Sequence, residues 1–429
     1  MSTATQTAPE TGGTTVTEVR NWKTPVILIV LAVAALLVFA IGAPSNDVTF
    51  RLTGENDPIV LPPIVVSATV TGWVCALVLL AAAAWSFVRV RAGRTVPVWL
   101  VAVYSVFFVA GFLTWVVGSA ETPNLALYGL LAGSVTLAVP LIFGSLSGVL
   151  CERSGVVNIA IEGQLLSGAF AAAVAGSLTG SAFVGLLAAV FAGMLVSAVL
   201  AVFSIKYIVN QVIVGVVLNV LVSGLTGFLF STVMSEDAET WNSPPRLSPI
   251  AIPFLSDIPV IGPILFEQSI VGYLMYLSVA VIYVALYHTK WGLRTRAVGE
   301  HPKAADTLGV KVNRTRFVNV LLGGAVAGLG GSFFTLVLVS SFGRDMTAGQ
   351  GYIALAALIF GRWNPLGAFF AALLFGFATN LQSVLSFLGT PVPNQFLAML
   401  PYLVTIFAVA GLVGKSRAPA ASGIPYIKG

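Results

Sequence analysis

The sequence predicts an all-α fold: a polytopic integral membrane protein of ten to twelve transmembrane helices, with helices interrupted near the midplane. Three observations carry this. Of 429 residues, 57% are hydrophobic and only 9% charged, where a soluble domain carries about 25% charged residues. A mean hydropathy of +0.97 leaves too little polar surface to keep a chain of this size in water. The apolar residues also come in runs of roughly 20, the length that crosses a hydrocarbon core.

Taken in order, residues 1–24 form a Thr-, Ser- and Gly-rich tail that reads as disordered and cytoplasmic. Arg20 and Lys23 precede the first apolar run, which after so long a polar lead reads as an uncleaved span rather than a signal peptide. Spans are expected at 25–42, 64–88, 97–118, 125–150, 157–179, 182–204, 207–233, 270–287, 317–340 and 396–413. Between the last two lies 352–386, interrupted at GRWNP (361–365), either two shortened spans or a re-entrant hairpin. Both leave the parity unchanged, so the two termini share a side.

Charge sets the orientation. The loop 288–316 carries Lys290, Arg294, Arg296, Lys303, Lys311, Arg314 and Arg316 against Glu300 and Asp306. The loop 235–269 carries five acids against Arg246, and 43–63 is also acidic. Arg89, Arg91 and Arg94 follow the second span, and Lys415 and Arg417 the last. Alternating these loops satisfies the positive-inside rule and makes both termini cytoplasmic, with a short tail at 416–429. The extracytoplasmic loop 235–269 holds six prolines, which exclude a long helix and leave an ordered cap or docking surface, or a mere connector. Gly- and Ala-rich stretches (324–332, 185–193, 367–376) are packing stripes that let backbones approach. A net charge of +5 has no basic run with interleaved aromatics, so no nucleic-acid partner is expected. Two cysteines and two histidines give no metal site and no disulfide framework.

Polar residues inside the apolar spans mark the candidate site. Ser154, Asn158 and Glu162 recur at i, i+4 and i+8, one stripe if the helix is continuous. Gly155 and Gly163 permit a break instead, tolerated at depth only where it lines protein or water. Glu162 lies nine residues past Arg153, about 14 Å along a helix. An ionisable group there costs at least about 2.5 kcal/mol if it faces lipid, so it must face the bundle or a wet cavity. Arg362 and Asn364 sit at the second interruption, and paired interruptions are a transporter signature. The translocation-pathway candidates are therefore Ser154, Asn158, Glu162, Gly163, Arg362 and Asn364. The bland alternatives are hydrogen bonds to neighbouring helices and, for Arg362, a loop at the membrane surface.

In RAVGEHPKAADTLGVKVNRTR (296–316), Pro302 can open a short helix and Gly309 can close it. Such a helix would display Ala304 and Ala305 to a groove on another protein. No catalytic constellation is present. GKS (414–416) lacks the upstream glycine of a phosphate loop, since position 409 is Val, so any ATP-driven work needs a partner.

Three stretches, ERSGVVNIAIEGQLLSGAF (152–170), AVGEHPKAADTLGV (297–310) and FGRDMTAGQGYIALAALIFGRWNPLGA (342–368), together resemble a known family. The chain is similar to permease subunits of bacterial ABC importers, the group of branched-chain amino acid, ribose and nucleoside permeases. The NI-x-IEG form and GYIALAALIFGRWNP look most like the simple-sugar and nucleoside branch, particularly guanosine and general nucleoside permeases. The resemblance covers 125–415, leaving 25–118 as an N-terminal extension of three transmembrane helices. Ala160 and Gln164 depart from the Gly and Met common in the family.

The resemblance implies a bacterial plasma-membrane protein that pairs with a second, homologous permease. A cytoplasmic ATPase subunit, which carries the ATP and Mg, would supply energy, and an extracytoplasmic binding lipoprotein would deliver substrate. No cofactor is implied on this chain itself. The segment with Gly299, Glu300, Pro302, Ala304, Ala305 and Gly309 corresponds to the family's coupling segment, and NIAIEG to its translocation core. The implied cargo is a nucleoside or related simple sugar. A ribose or branched-chain amino acid permease of the same class, an ion-coupled secondary transporter and a membrane-embedded enzyme are the rivals. The last two are disfavoured by the scarcity of intramembrane ionisable groups and of clustered His, Asp or Cys.

Overall fold

A computed structural model of the chain describes residues 22–428 apart from 55–56, 58, 390–391 and 400–416. The expected tail 1–24 thus falls almost wholly outside the described residues, although its last residue pair already opens a helix. Most of the expected span 396–413 lies outside them too.

The chain folds as two compact units. The first contains α1 (Lys23–Ala35, closing in a π-turn at Leu36–Ile41), α2 (Ala68–Arg91) and α3 (Val98–Gly118). Their shared core is small residues on α1 and α2 (Ala32, Ala35, Ala83) around Leu28, Leu79 and Leu100. Phe39 stacks edge-on against Phe108 at 5.4 Å. Tyr104 Oη donates to the Leu28 carbonyl at 2.8 Å, which satisfies a hydroxyl buried among these helices' apolar faces.

The second unit begins with a parallel pairing of β1 (Asp47–Arg51) with β3 (Asn124–Ala126), Thr49 opposite Asn124 and Arg51 opposite Ala126. The intervening β2 (Ile64–Ser67) leads into α2. Its helices are α4 (Leu127–Arg153), α5 (Ile161–Thr179), α6 (Ala182–Ala201, extended by a π-turn to Lys206) and α7 (Gln211–Leu229, extended to Met234). After the loop 235–269 come α10 (Ile270–His288), α11 (Lys290–Glu300), α12 (Pro302–Thr307), α13 (Val312–Phe333, extended to Leu338), α14 (Gln350–Phe360), α15 (Pro365–Phe387) and α16 (Asn394–Ala398).

That loop is ordered and carries only two short helices, α8 (Ala238–Trp241) and α9 (Ile261–Leu265). A two-residue pairing of β4 (Ile250–Ala251) with β5 (Glu267–Gln268) completes it. It is latched to the end of α13: Leu247 N donates to the Leu336 carbonyl at 2.7 Å, and Asn242 exchanges two bonds with the Phe342 backbone.

Ten helices among the described residues are long and apolar enough to cross a membrane. The segment expected at 352–386 resolves into α14, too short at 11 residues to cross alone, and α15, which at 23 residues is long enough. The centre of the unit is α13, packed between α4, α5 and α6. The glycine stripe makes this possible: a Cβ on Gly328 would lie 2.2 Å from the Ala189 carbonyl oxygen of α6. Only a residue without a side chain lets these backbones touch.

Candidate functional site

The helix expected through 157–179 begins only at Ile161. Residues 154–160 are not helical: α4 stops at Arg153, and Gly155 takes φ +93°, which favours glycine. The polar stripe of Ser154, Asn158 and Glu162 therefore does not form, and the three side chains part company. Ser154 Oγ turns back to the Cys151 carbonyl at 2.7 Å and helps close α4.

Freed backbone groups in an apolar bundle must find partners within the protein. Here two residues of α7 supply them. Gln211 Oε1 accepts from Val157 N at 2.7 Å. Asn219 works in both directions: its Oδ1 accepts from Gly163 N at 2.8 Å and its Nδ2 donates to the Ile159 carbonyl at 2.9 Å. Asn219 Nδ2 also reaches Tyr352 Oη at 3.1 Å, on α14.

Asn158 belongs to a sealed network. It donates from Nδ2 to Ser147 Oγ (3.1 Å) and Gln164 Oε1 (3.0 Å), while Gln164 Nε2 returns a bond to Asn158 Oδ1 (3.1 Å) and another to Ser197 Oγ (2.8 Å). All four residues are fully buried. This paired-amide arrangement ties the break to α4 and α6 and faces no opening.

Glu162 goes elsewhere. From the first turn of α5, its carboxylate crosses to the start of α14. Oε1 accepts from Thr347 Oγ1 at 2.6 Å and Gly349 N at 2.8 Å, and Oε2 accepts from Gly351 N at 2.6 Å. The first amides of a helix lack intrahelical partners and carry the positive end of its dipole, so a carboxylate is the natural complement. Gly349 sits at φ +81° to aim its amide, and a Cβ on Gly351 would lie 2.5 Å from Glu162 N. The two interrupted helices thus meet, N-terminus to N-terminus, through Glu162. Glu162 is half-buried and Tyr352 exposed, so part of this junction is open to the surroundings of the chain.

Arg362 and Asn364 are not part of the junction. They lie at the other end of α14, 11 residues or about 16 Å away. Asn364 caps α15, its Oδ1 accepting from Leu366 N at 2.9 Å. The carbonyls of Arg362 and Trp363 accept from the Arg153 guanidinium, the latter at 2.8 Å, and Trp363 Nε1 donates to Glu152. The turn 361–364 is thereby fastened to the end of α4.

The 288–316 segment meets the same end of α4. A Cβ on Gly299 would lie 2.2 Å from the Arg153 carbonyl oxygen. Pro302 opens α12 at its first turn, and Gly309 at φ +81° ends it, as the punctuation suggests. The display of side chains differs from the expectation. Ala304 is exposed, but Ala305 is buried against Val298, Val312 and Tyr426. The apolar group that α12 offers outward is Leu308, 85% exposed. Glu300 is also exposed.

Comparison with known proteins places this architecture. The model of the branched-chain amino acid transport system permease component matches residues 130–409, beginning after α3. The chain belongs to this family. It is a multi-pass membrane component of an ABC importer, a transporter subunit rather than an enzyme. It is 41% identical to the guanosine ABC transporter permease protein NupQ of Bacillus subtilis over 69% of this chain and 95% of that one. It is 38% identical to the nucleoside ABC transporter permease protein NupC of Lactococcus lactis, over 70% of this chain and 96% of that one. The putative glucose ABC transporter permease protein TsgC13 of Haloferax volcanii is 34% identical over 65% of this chain and 89% of that one. No solved structure matches the chain.

Of the site, sequence reasoning missed Asn219, Thr347 and Tyr352. Asn219 carried a signal, an amide inside the apolar run VIVGVVLNVLV, of the kind that marks a buried hydrogen-bond partner.

Proposed function

We propose that the chain is the permease subunit of an ATP-driven importer of nucleosides, moving cargo by alternating access in a bacterial plasma membrane. The observation that carries the cargo is the state of Glu162. Both carboxylate oxygens are engaged by Thr347 and the amides of Gly349 and Gly351, which leaves no free oxygen pair for the ammonium of a zwitterion. A neutral solute rich in hydroxyls and amides suits what is left, and the relatives named for guanosine and nucleosides agree in kind. The relative named for glucose keeps a simple sugar as the second reading.

The basic end of the bundle, bearing Arg153, Lys290, Arg294 and Lys311, is cytoplasmic by the positive-inside rule, and both termini lie on that side. A separate ATPase subunit docks on α12, contacting Ala304 and Leu308. A second, homologous permease completes the pathway, and a binding lipoprotein delivers cargo from outside. When the ATPase pair closes, α12 moves. Gly299 against Arg153 passes the movement to the break at 154–160, and Arg153 passes it to the turn at 361–364. Both routes end on the two helices, α5 and α14, whose N-termini meet at Glu162, so the junction opens or closes as a two-state element.

Guanosine uptake in cells with and without the gene tests this, measured after proton and sodium gradients are collapsed and ATP is maintained. Uptake that survives in gene-bearing cells alone is expected. Uptake lost with the gradients would overturn the ATP-driven reading in favour of ion coupling.

A further inference from the structure

The last described stretch, residues 417–428, has no regular secondary structure yet is fastened at five residues between Ala420 and Tyr426. Ala420 N donates to Glu300 Oε2 at 3.2 Å and Ala421 N to the Gly299 carbonyl at 2.8 Å. Gly423 N donates to the Gly155 carbonyl at 3.3 Å. The Ile424 carbonyl accepts from Arg316 Nη1 at 2.8 Å. Tyr426 packs with Val298, Ala305 and Val312. Burial, with the Asp306 carboxylate accepting its phenol proton's hydrogen bond, holds Tyr426 above the usual tyrosine range.

These contacts join three things that are separate in the sequence: the segment around α12, the start of the break after α4, and the base of α13. Gly155 is the glycine whose φ of +93° begins the break. Arg316 is 2% exposed, and Nε and Nη2 have no hydrogen-bond partner among the described residues, where the Ile424 carbonyl anchors this buried guanidinium. Buried polar atoms left unpaired are rare in a resting fold. Nη2 lies 2.7 Å from where a Gly155 Cβ would stand, so Arg316 and the break share one space. Any shift of α12 must therefore pull the tail, and the tail holds both Gly155 and Arg316.

We infer that residues 417–428 form a transmission strap, positioning the α12 segment against the Gly155 break so that movement of the docked ATPase reaches the interrupted helix. This rests on the importer reading above. The strap works mainly through backbone groups, so it constrains its own sequence weakly.

The test uses the intact importer, captured through a tag on this chain and reconstituted in liposomes with its binding protein and guanosine. The variants are a truncation after Arg417, Gly423→Pro, Tyr426→Ala and, as the conservative control, Tyr426→Phe. Gly423→Pro cannot keep φ +77° and removes the amide that reaches Gly155. Tyr426→Ala is the mild variant should the first two reach the membrane poorly. ATPase captured per permease and basal ATP hydrolysis are expected to stay within twofold of wild type. Guanosine moved per ATP is expected to fall at least tenfold in the first three and to stay near wild type in Tyr426→Phe. Unchanged guanosine per ATP would overturn the strap. Loss of ATPase capture in the variants alone would overturn it too, making the tail part of the dock. If wild type itself captures no ATPase, the importer reading fails, and the strap falls with it.

Discussion

Replacing Glu162 with glutamine isolates the contact that joins the two interrupted helices. The carboxylate accepts three hydrogen bonds from two oxygens: Thr347 Oγ1 and Gly349 N on one, Gly351 N on the other. An amide has one oxygen. Its NH2 must turn toward one set of donors, so at least one charge-assisted bond is lost, about 1.5–3 kcal/mol. The charge facing the α14 N-terminus is lost as well, about 0.3–1 kcal/mol at an exposed site and more when partly buried. Together these give about 2–4 kcal/mol, localised at the start of α14. At about 1.4 kcal/mol per tenfold, amide exchange in peptides spanning 346–353 should rise about 30- to 700-fold, with α4 and α13 unaffected. Hydrogen-exchange mass spectrometry of the detergent-solubilised protein reads this directly. Unchanged protection in Glu162→Gln would refute the capping argument. Faster exchange spread evenly through α4, α5 and α13 would mean that Glu162 holds the whole bundle rather than this junction.

Other substitutions probe the remaining contacts. Gly351→Val should separate α14 from α5, because a Cβ there would meet the Glu162 backbone at 2.5 Å; guanosine uptake should be abolished while the chain still reaches the membrane. Gln164→Leu leaves the buried Asn158 and Ser197 side chains short of partners, at about 1–3 kcal/mol each, so thermal stability in detergent should fall. Ala304→Trp and Leu308→Asp should abolish ATPase capture without lowering that stability, since both side chains point outward. Ala305→Asp should instead destabilise the segment, because it places a charge in the Val298–Val312–Tyr426 cluster.

The spans were legible because lipid imposes a simple pattern, long apolar runs between charged loops. Their ends were less so. The span expected from 317 begins at Val312, since the exposed Asn313 and Arg314 continue the helix into the polar layer where charge is no penalty. The break before α5 was legible as a possibility in Gly155 beside buried polar residues. The partners of Glu162 were not, because Thr347 and Gly349 lie more than 180 residues away and the contacts run to backbone amides, which every residue has. Ala305 was misdirected for a different reason. In a six-residue helix the outward face follows from what it lies against, here Tyr426 of the tail, and not from spacing. Asn364 reads as a pathway candidate in the sequence because a helix cap and a binding group draw on the same polar side chains; in the fold it caps α15.

The central claim is that this chain carries nucleosides, and its most direct test is cargo. Uptake of labelled guanosine, adenosine, uridine and ribose is measured in cells lacking the gene, with and without its restoration. Restored uptake of one or more nucleosides, with ribose unchanged, is the result expected. Restoration of ribose alone would keep the importer and contradict the cargo, and no change in any of the four would contradict both.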